Sequence, residues 1–115
     1  MKRFIIFLFV CNTMVLFGQK LIDNNTAKSL LKDKNIQLLD VRTIGEVKNG
    51  AINGSIHIDY FNANFIELCA AKLDPKKPLI VYCAAGGRSA KAAKDLKKEG
   101  FKVIYDLAGG YENWE

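Results

Sequence analysis

At the centre of this sequence lies Leu79-Ile80-Val81-Tyr82-Cys83-Ala84-Ala85-Gly86-Gly87-Arg88-Ser89, a segment that predicts a strand, a loop and a helix in succession. Its first four residues are apolar, β-branched or aromatic, which is typical of a buried strand that ends at Cys83. A Gly-Gly loop follows, and residues 89–99 have the composition of a helix. Cys83 is therefore expected at the carboxyl end of a strand, opposite the amino end of a helix.

The loop between this strand and helix has the properties of an anion-binding site. Free backbone N–H groups and the positive end of the helix dipole meet at the amino terminus of a helix. Gly86 and Gly87 allow the backbone to turn its N–H groups inward, and Arg88 adds a fixed positive charge. A thiol in this position should have a lowered pKa and act as a nucleophile. A cysteine that ends an apolar strand can equally be a small buried hydrophobe, so this residue alone does not decide the function.

The pattern Cys83-x-x-Gly-x-Arg-Ser resembles the active-site loop of the rhodanese family, sulfurtransferases that carry a sulfane sulfur as a cysteine persulfide. The resemblance covers about residues 21–115 and includes Asp40-Val41-Arg42 with Glu46, the segment 50–58 and Gly109-Gly110-x-x-x-Trp114. The sequence departs from the family pattern at Ala51, where a histidine is usual, and at Ser55, where an alanine is usual. It also departs at Ala84 and Ala85, where active thiosulfate enzymes of the family often carry a basic side chain.

The resemblance implies a role for each residue of the loop and for three residues outside it. Cys83 would be the catalytic residue, and the substrate would be bound by Ala84, Ala85, Gly86, Gly87, Arg88 and Ser89. Asp40, Arg42 and Glu46 would support the loop structurally. The spacing allows Arg42 to pair with Asp40 at the end of a strand, or with Glu46 on a helical turn.

Three functions are compatible with this pattern. A sulfurtransferase would take sulfur from a small anionic donor such as thiosulfate and pass it to cyanide or a thiol. A sulfur carrier or interaction module would hand sulfur between proteins with little turnover of free thiosulfate, and the uncharged Ala84 and Ala85 favour this alternative. A phosphatase or arsenate reductase ranks last, because those sites resemble Cys-x5-Arg whereas Cys83 and Arg88 form Cys-x4-Arg. No cofactor is expected for the sulfur chemistry.

Composition limits the chain to one domain and argues against a nucleic-acid partner. Its 115 residues suffice for a single core, and its formal net charge is +5. Two of the positive charges, Lys2 and Arg3, lie in a predicted leader, and the remaining excess is mild and scattered. A slightly basic surface suits small anionic substrates equally well. The oligomeric state is left open, with a monomer as the expectation.

Residues 1–18 have the layout of a secretory signal peptide, and the rhodanese-like domain is expected over residues 21–115. A basic start precedes an apolar segment that ends at the small residue Gly18. Cleavage there would release an exported, periplasmic protein without a membrane attachment. An uncleaved membrane anchor and lipidation at Cys11 are alternatives, although Val10 precedes this cysteine where a lipobox has a small residue.

The remaining cysteine and the single histidine are interpreted as structural. Cys69 lies in residues 65–71, which predict a helix facing the core, so a buried free thiol is favoured and a disulfide to Cys83 is left open. His57 alternates with Ile56 and Ile58 and should point away from the face that they bury. No Cys/His cluster has the spacing of metal ligands, so no metal site is predicted.

The alternation of helical and strand segments predicts an α/β fold with a mostly parallel sheet and helices on both faces. Ligands bind such sheets beyond the carboxyl ends of the strands, where Cys83 falls. The predicted elements are an Asp23-capped helix over 24–32, strands over 36–41 and 101–107, a helix or pair of turns over 60–72 and a turn over 74–78. Further expectations are a buried stripe of Ala90, Ala93 and Leu96, a helix end at Gly100 and a core position for Trp114.

The leader should be absent from the exported protein, with the mature chain beginning at or near Gln19 because Gly18 closes the apolar segment. Amino-terminal sequencing of protein recovered from the periplasm checks this expectation. Recovery outside the cytoplasm with Met1 to Gly18 intact would instead favour an uncleaved anchor.

Overall fold

The computed structural model describes residues 19–115 of the chain. The predicted signal peptide, Cys11 and the proposed cleavage site after Gly18 therefore lie outside the described residues. Within residues 19–115, no helix has the length and apolar character needed to span a membrane.

Residues 19–115 form a five-stranded sheet in which every neighbouring pair of strands is parallel. The strands are β1 (Lys20–Ile22), β2 (Gln37–Asp40), β3 (Ile56–His57), β4 (Leu79–Tyr82) and β5 (Ile104–Leu107), in the order β1-β5-β4-β2-β3. The helices are α1 (Asn24–Leu30), α2 (Ile44–Val47), α3 (Phe65–Lys72), α4 (Gly87–Lys98) and a closing 3-10 turn, Tyr111–Asn113. The α/β class and the parallel sheet are confirmed.

β4 is the central strand, and its side chains divide the interior into two cores. All four of its residues are fully buried, as expected for a strand covered on both faces. Leu79 and Val81 pack in one core with residues of α3 and α4, whereas Ile80 and Tyr82 pack in the other with Ala27 of α1. The sheet is therefore covered on both faces, and β4 carries Cys83 to its carboxyl edge.

Local capping signals correctly predicted the start of α1 and the end of α4, whereas α1 ends at Leu30 rather than at Lys32. The Asp23 carboxylate accepts a hydrogen bond of 2.8 Å from the Thr26 N–H, which caps α1. Gly100, with a φ of +103°, follows α4, and its N–H donates to Lys97 O while the Phe101 N–H donates to Leu96 O. This pair of bonds is a Schellman motif, which satisfies the last carbonyls of the helix.

Two elements were absent from the sequence interpretation. β1 has only three residues and pairs with β5 at the sheet edge, so its short apolar segment carries too little periodicity to be recognised. α2 is a single turn, but Thr43 and Glu46 form a capping box that was readable as Thr-x-x-Glu.

Two burial predictions were wrong. Ala90 is only half-buried, because the inner face of α4 is formed by Ser89, Ala92, Ala93 and Leu96. Trp114 is half-buried at the margin of the second core, where Lys28 Nζ lies 5.3 Å from its ring centroid. The tryptophan thus packs at the edge of the second core, and its ring makes a cation–π contact with Lys28.

Candidate functional site

Cys83 lies immediately after β4, at the carboxyl edge of the sheet, and α4 begins four residues later at Gly87. The predicted strand–loop–helix unit is therefore present. Cys83 is 1% exposed, so its thiol is enclosed by the loop rather than displayed on the surface. Around it, Ala84 and Gly86 are half-buried, whereas Ala85 and Gly87 are exposed at the rim.

The closing 3-10 turn clamps the start of the loop through two backbone hydrogen bonds. The Tyr111 N–H donates to Cys83 O over 2.8 Å, and the Glu112 N–H donates to Ala84 O over 3.0 Å. Because a peptide unit is planar, the N–H groups of Ala84 and Ala85 point away from the turn, and the Ala85 N–H is among the donors that favour the Cys83 thiolate. The Gly86 N–H donates to Cys83 Sγ over 3.0 Å, and Gly86 has a φ of +123°, which favours glycine.

Gly110 permits this clamp, and the reason was not visible in the sequence. It has a φ of +63°, and a Cβ atom at this position would lie 2.5 Å from both Cys83 O and Ala84 O. A side chain would therefore push the turn away from the loop. Glycine is therefore required at position 110 for two reasons, the close approach of the loop backbone and the positive φ angle.

The pKa of Cys83 lies below the ordinary thiol value, although burial alone would raise it. The interaction with the Ser89 side chain and the hydrogen bonds from the N–H groups of Ser89, Gly86 and Ala85 favour the thiolate and outweigh that burial. As a thiol, Cys83 Sγ donates to Ser89 Oγ over 3.5 Å. Cys69 has no such donors, so burial raises its pKa to about 12. Both thiols are free in the described structure, and the core position predicted for Cys69 is confirmed.

Arg88 pairs with Glu46, which corrects one of the two pairings considered for Arg42. The Arg88 guanidinium donates to the two Glu46 oxygens over 2.7 and 2.9 Å. Arg42 precedes the N-cap Thr43 and turns inward, whereas Glu46 folds back over the cap and meets α4. Helical i, i+4 spacing therefore does not apply to Arg42 and Glu46, since only Glu46 belongs to the helix.

The ion pair between Arg88 and Glu46 sets the charge at the rim of the loop. Hydrogen bonds from Arg88 and from the Thr43 N–H lower the pKa of Glu46 to about 2. The carboxylate therefore stays ionised and balances the positive charge of Arg88. The guanidinium carbon also lies 5.9 Å from the centroid of the exposed Phe61 ring.

A second, buried ion pair lies beneath the site. Arg42 donates to Asp40 with distances of 2.7 to 3.2 Å and to Gly50 O over 2.7 Å, so this predicted pairing is confirmed. Tyr82 O–H donates to the same carboxylate over 2.8 Å and accepts the Ile52 N–H over 3.0 Å. The network ties β2 to the end of β4 just before Cys83, which is a supporting position for Asp40 and Arg42.

His57 makes a contact with the backbone that favours the structural role predicted for it. His57 Nε2 lies 2.6 Å from Arg42 O, and the residue is half-buried on β3. Among residues 19–115, no group of three or more His, Cys, Asp or Glu side chains is arranged to hold a metal ion.

Sequence reasoning missed one acidic residue at the site. Asp106, on β5, is 4% exposed and its carboxylate lies 2.7 Å from the hydroxyl of the fully buried Ser89. A carboxylate inside the apolar strand Ile104–Leu107 was a readable signal, because buried acids need a specific partner. The approach of Asp106 to Ser89 depends on tertiary packing and could not be read from the sequence.

Comparison with known proteins identifies relatives over almost the whole described region. The rhodanese-like domain family matches residues 23–115. Thiosulfate sulfurtransferase GlpE of Coxiella burnetii (strain RSA 331 / Henzerling II) is 32% identical over 96 residues, which are 84% of this chain and 87% of that protein. Thiosulfate sulfurtransferase 16, chloroplastic, of Arabidopsis thaliana is 36% identical over 85 residues, 66% of this chain and 71% of that protein.

The fold is also similar to solved structures. A rhodanese-like domain protein from Staphylococcus aureus superposes with a TM-score of 0.72 at 28% identity. The match covers 84% of this chain and 92% of that one. A rhodanese-related protein from Thermoplasma volcanium gives a TM-score of 0.71 at 30% identity, covering 83% and 89% of the two chains.

Gly110→Ala should open the clamp on the loop and reduce the reactivity of Cys83. The steric conflict and the positive φ should lower the free energy of unfolding by about 2 kcal/mol or more. Gly54→Ala is the matched control, because Gly54 also has a positive φ, of +86°, but a Cβ there meets no atom within 4 Å. Urea unfolding and the iodoacetamide reaction rate of the Cys83 peptide measure both effects. Equal alkylation rates in the two variants would show that the clamp does not organise the sulfur site.

Proposed function

This chain belongs to the rhodanese-like domain family, and we propose that it is a sulfurtransferase that moves a sulfane sulfur through a persulfide on Cys83. The observation that carries the proposal is the loop around the buried sulfur. The Gly86 N–H donates to Sγ, and the donors of Ser89 and Ala85 contribute to a lowered thiol pKa. Such a loop stabilises a sulfur anion, which is the charge that both thiolate and persulfide carry. Relatives named thiosulfate sulfurtransferases support the same reaction class.

In the first half-reaction the Cys83 thiolate attacks the outer sulfur of a donor such as thiosulfate. A bond forms between Sγ and that sulfur while the bond to the sulfonate sulfur breaks, and its electron pair leaves with sulfite. The negative charge of the thiolate is then carried by the terminal persulfide sulfur. The N–H groups of Ala85, Gly86 and Ser89, which favour the thiolate, would stabilise that charge as well, with the other loop residues from Ala84 to Arg88 completing the proposed site.

In the second half-reaction cyanide or a thiolate attacks the terminal persulfide sulfur. The new bond forms as the sulfur–sulfur bond to Cys83 breaks, and the electron pair returns to Sγ as a thiolate. Because the donor product leaves before the acceptor reacts, the kinetics should be ping-pong.

The charge at the rim favours a second candidate, a sulfur carrier that hands sulfur between proteins. Arg88 is neutralised by Glu46, and Ala84 and Ala85 add no positive charge. A free dianion such as thiosulfate therefore meets less positive potential than a basic loop would supply. The same geometry weighs against a phosphatase, because the guanidinium of Arg88 is directed to Glu46 rather than held for a tetrahedral oxyanion.

We also propose that residues 1–18 are removed as a signal peptide and that residues 21–115 act in the periplasm. The support is the basic, apolar and small-residue layout of the leader. A monomer that uses no cofactor remains part of this proposal, with a small sulfur donor and a thiol or cyanide as its reaction partners.

Cys83→Ser should abolish persulfide formation, because a hydroxyl in the same loop is neither acidic nor sulfur-seeking enough to replace the thiol. Cys69→Ser is the matched control and should retain sulfur uptake, since Cys69 lies in the core with a pKa raised to about 12 by burial. Intact-mass spectrometry after thiosulfate treatment should show one added sulfur atom on the control and none on Cys83→Ser. Sulfur uptake that persists without Cys83 would exclude the proposed intermediate. Turnover with cyanide separates an enzyme from a carrier.

Arg88→Ala should weaken capture of the donor while Cys83 remains open to alkylation, because the backbone donors to the sulfur remain. KM for the donor should rise more than the alkylation rate changes. If the alkylation rate of Cys83 fell by as large a factor as KM rose, Arg88 would act by stabilising the structure of the loop and not by binding the donor.

Glu46→Gln should lower the free energy of unfolding by about 1 kcal/mol, since it weakens an ion pair at a partly exposed site and a capping box. The folded pKa of Glu46 is about 2, below its unfolded value, so this contribution is present above pH 4.5 and is lost as the pH falls toward 2. Exposed Glu67→Gln on α3 is the control. Urea unfolding over this pH range should show the difference between wild type and Glu46→Gln shrinking as the pH falls. A difference that stays constant with pH would contradict the ion-pair account.

A further inference from the structure

The hydroxyl of Ser89 lies between two buried titratable groups, the carboxyl group of Asp106 and the thiol of Cys83. Ser89 Oγ is 2.7 Å from Asp106 Oδ1 and 3.5 Å from Cys83 Sγ, with Gly86 O at 3.2 Å. Ser89, Cys83 and Asp106 are 0%, 1% and 4% exposed. These three side chains therefore form a small polar group that is closed to bulk solvent.

The hydroxyl carries one proton and can donate it in one direction at a time. When Asp106 is ionised, its carboxylate is the closest and strongest acceptor, so Ser89 donates to it and turns a lone pair toward the sulfur. When Asp106 is protonated, its O–H donates to Ser89 Oγ, which releases the Ser89 proton to bond Sγ. The protonation state of Asp106 thus decides whether Ser89 stabilises the thiol or the thiolate.

The residues paired with Asp106 in the sheet are apolar. Leu21 of β1 and Val81 of β4 are its partners in register, and parallel partners share a face of the sheet. From α4, Arg88 is paired with Glu46 and Lys91 is exposed. Within residues 19–115, the salt bridges join Arg42 to Asp40 and Arg88 to Glu46, and none reaches Asp106.

The thiol of Cys83 is therefore the titratable group that shares the Ser89 hydroxyl with Asp106. Burial raises the pKa of Asp106, and the bond from Ser89 only partly offsets that rise. A carboxyl group in this setting binds a proton more readily than a free aspartate does.

We propose that Asp106 is a positioning residue for the sulfur chemistry, which takes up the Cys83 proton through Ser89 and then holds the Ser89 hydroxyl toward the sulfur. The inference rests on the proposed function, because it concerns how the thiolate of that site is formed. The thiol proton moves to Ser89 Oγ as the Ser89 proton moves to Asp106 Oδ1. One negative charge passes from the carboxylate to the sulfur, and nothing is oxidised or reduced.

This arrangement also serves the persulfide. A thiolate and a persulfide each carry one negative charge, so sulfur uptake from the donor does not call for a new proton transfer. Asp106 remains protonated and Ser89 remains a donor through both half-reactions. The pair holds one proton between its two acids, in the manner of two coupled titrating groups.

The alkylation rate of Cys83 against pH tests the proposal, followed on the Cys83 peptide by mass spectrometry in the full chain. The wild type should show two inflections, because the coupled pair loses its protons in two steps. Asp106→Asn supplies a neutral group of the same shape and should show one inflection, at least about one pH unit below the upper step of the wild type. Superimposable profiles would overturn the proposal, because a merely structural Asp106 would not change the pH dependence.

Two further variants serve as a control and as a second test of the Asp106 charge. Asp95→Asn is the control, because Asp95 on α4 also accepts a hydrogen bond from a hydroxyl group, that of Tyr60 over 2.8 Å, but makes no hydrogen bond with Cys83 or Ser89 among the described residues. It should keep the two-step profile of the wild type, and a single step in this variant would overturn the assignment to Asp106. Asp106→Ser removes the same charge with a smaller side chain and should also give one step if Asp106→Asn fails to fold.

Ser89→Ala tests whether the titrations of Cys83 and Asp106 are coupled through the Ser89 hydroxyl. Adding Asp106→Asn to Ser89→Ala should change the pH profile of alkylation far less than it does in the wild type, and an effect of full size would exclude the Ser89 route.

Mass measurement of the persulfide separates this inference from the proposed function. Persulfide formation with a single-step wild-type profile defeats the inference alone, whereas a two-step profile without sulfur uptake from any donor defeats the function alone.

Discussion

Two backbone hydrogen bonds, from the Tyr111 and Glu112 N–H groups to the carbonyls of Cys83 and Ala84, are the contacts on which the site depends. They direct the carbonyls at the start of the loop toward the closing turn. The N–H groups of the same two planar peptide units, those of Ala84 and Ala85, are thereby turned away from the closing turn. The Ala85 N–H contributes with the Gly86 N–H to the lowered pKa of Cys83. A peptide group cannot turn both its dipole ends inward, so the anion site exists because the other ends have partners elsewhere.

The buried ion pair of Arg42 and Asp40 fixes the position of the strand that carries the cysteine. Removing two charges from water is costly, and Coulomb attraction alone seldom compensates for it. Here the Tyr82 hydroxyl and the Gly50 carbonyl satisfy further hydrogen-bonding groups of the pair. Tyr82 is the last residue of β4 and directly precedes Cys83. The buried ion pair is therefore hydrogen-bonded to the residue next to the cysteine in the chain.

Three carboxylates near the loop are held in different environments and serve different purposes. Asp40 is neutralised inside the scaffold by Arg42, and Glu46 is neutralised at the rim by Arg88. Asp106 forms no salt bridge among the described residues, and its hydrogen-bond partner is the Ser89 hydroxyl. Burial without a counter-charge favours the protonated acid, whereas an ion pair favours the carboxylate. Asp106 is therefore the carboxyl group near the sulfur whose pKa is raised by burial and whose charge no salt bridge among the described residues balances.

Local sequence determined the parallel α/β class, the strand–loop–helix unit at Cys83, the Asp23 cap and the end of α4 at Gly100, because each depends on composition, periodicity or turn chemistry within a few residues. The resemblance to the rhodanese family correctly identified the fold from motifs spread along the chain. Tertiary structure alone decided that Glu46 pairs with Arg88, that Gly110 must let the closing turn approach the loop, and that Asp106 meets Ser89. Each of these contacts joins residues on separate elements, and the distance between such residues is set by the packing of the sheet rather than by their spacing in the chain.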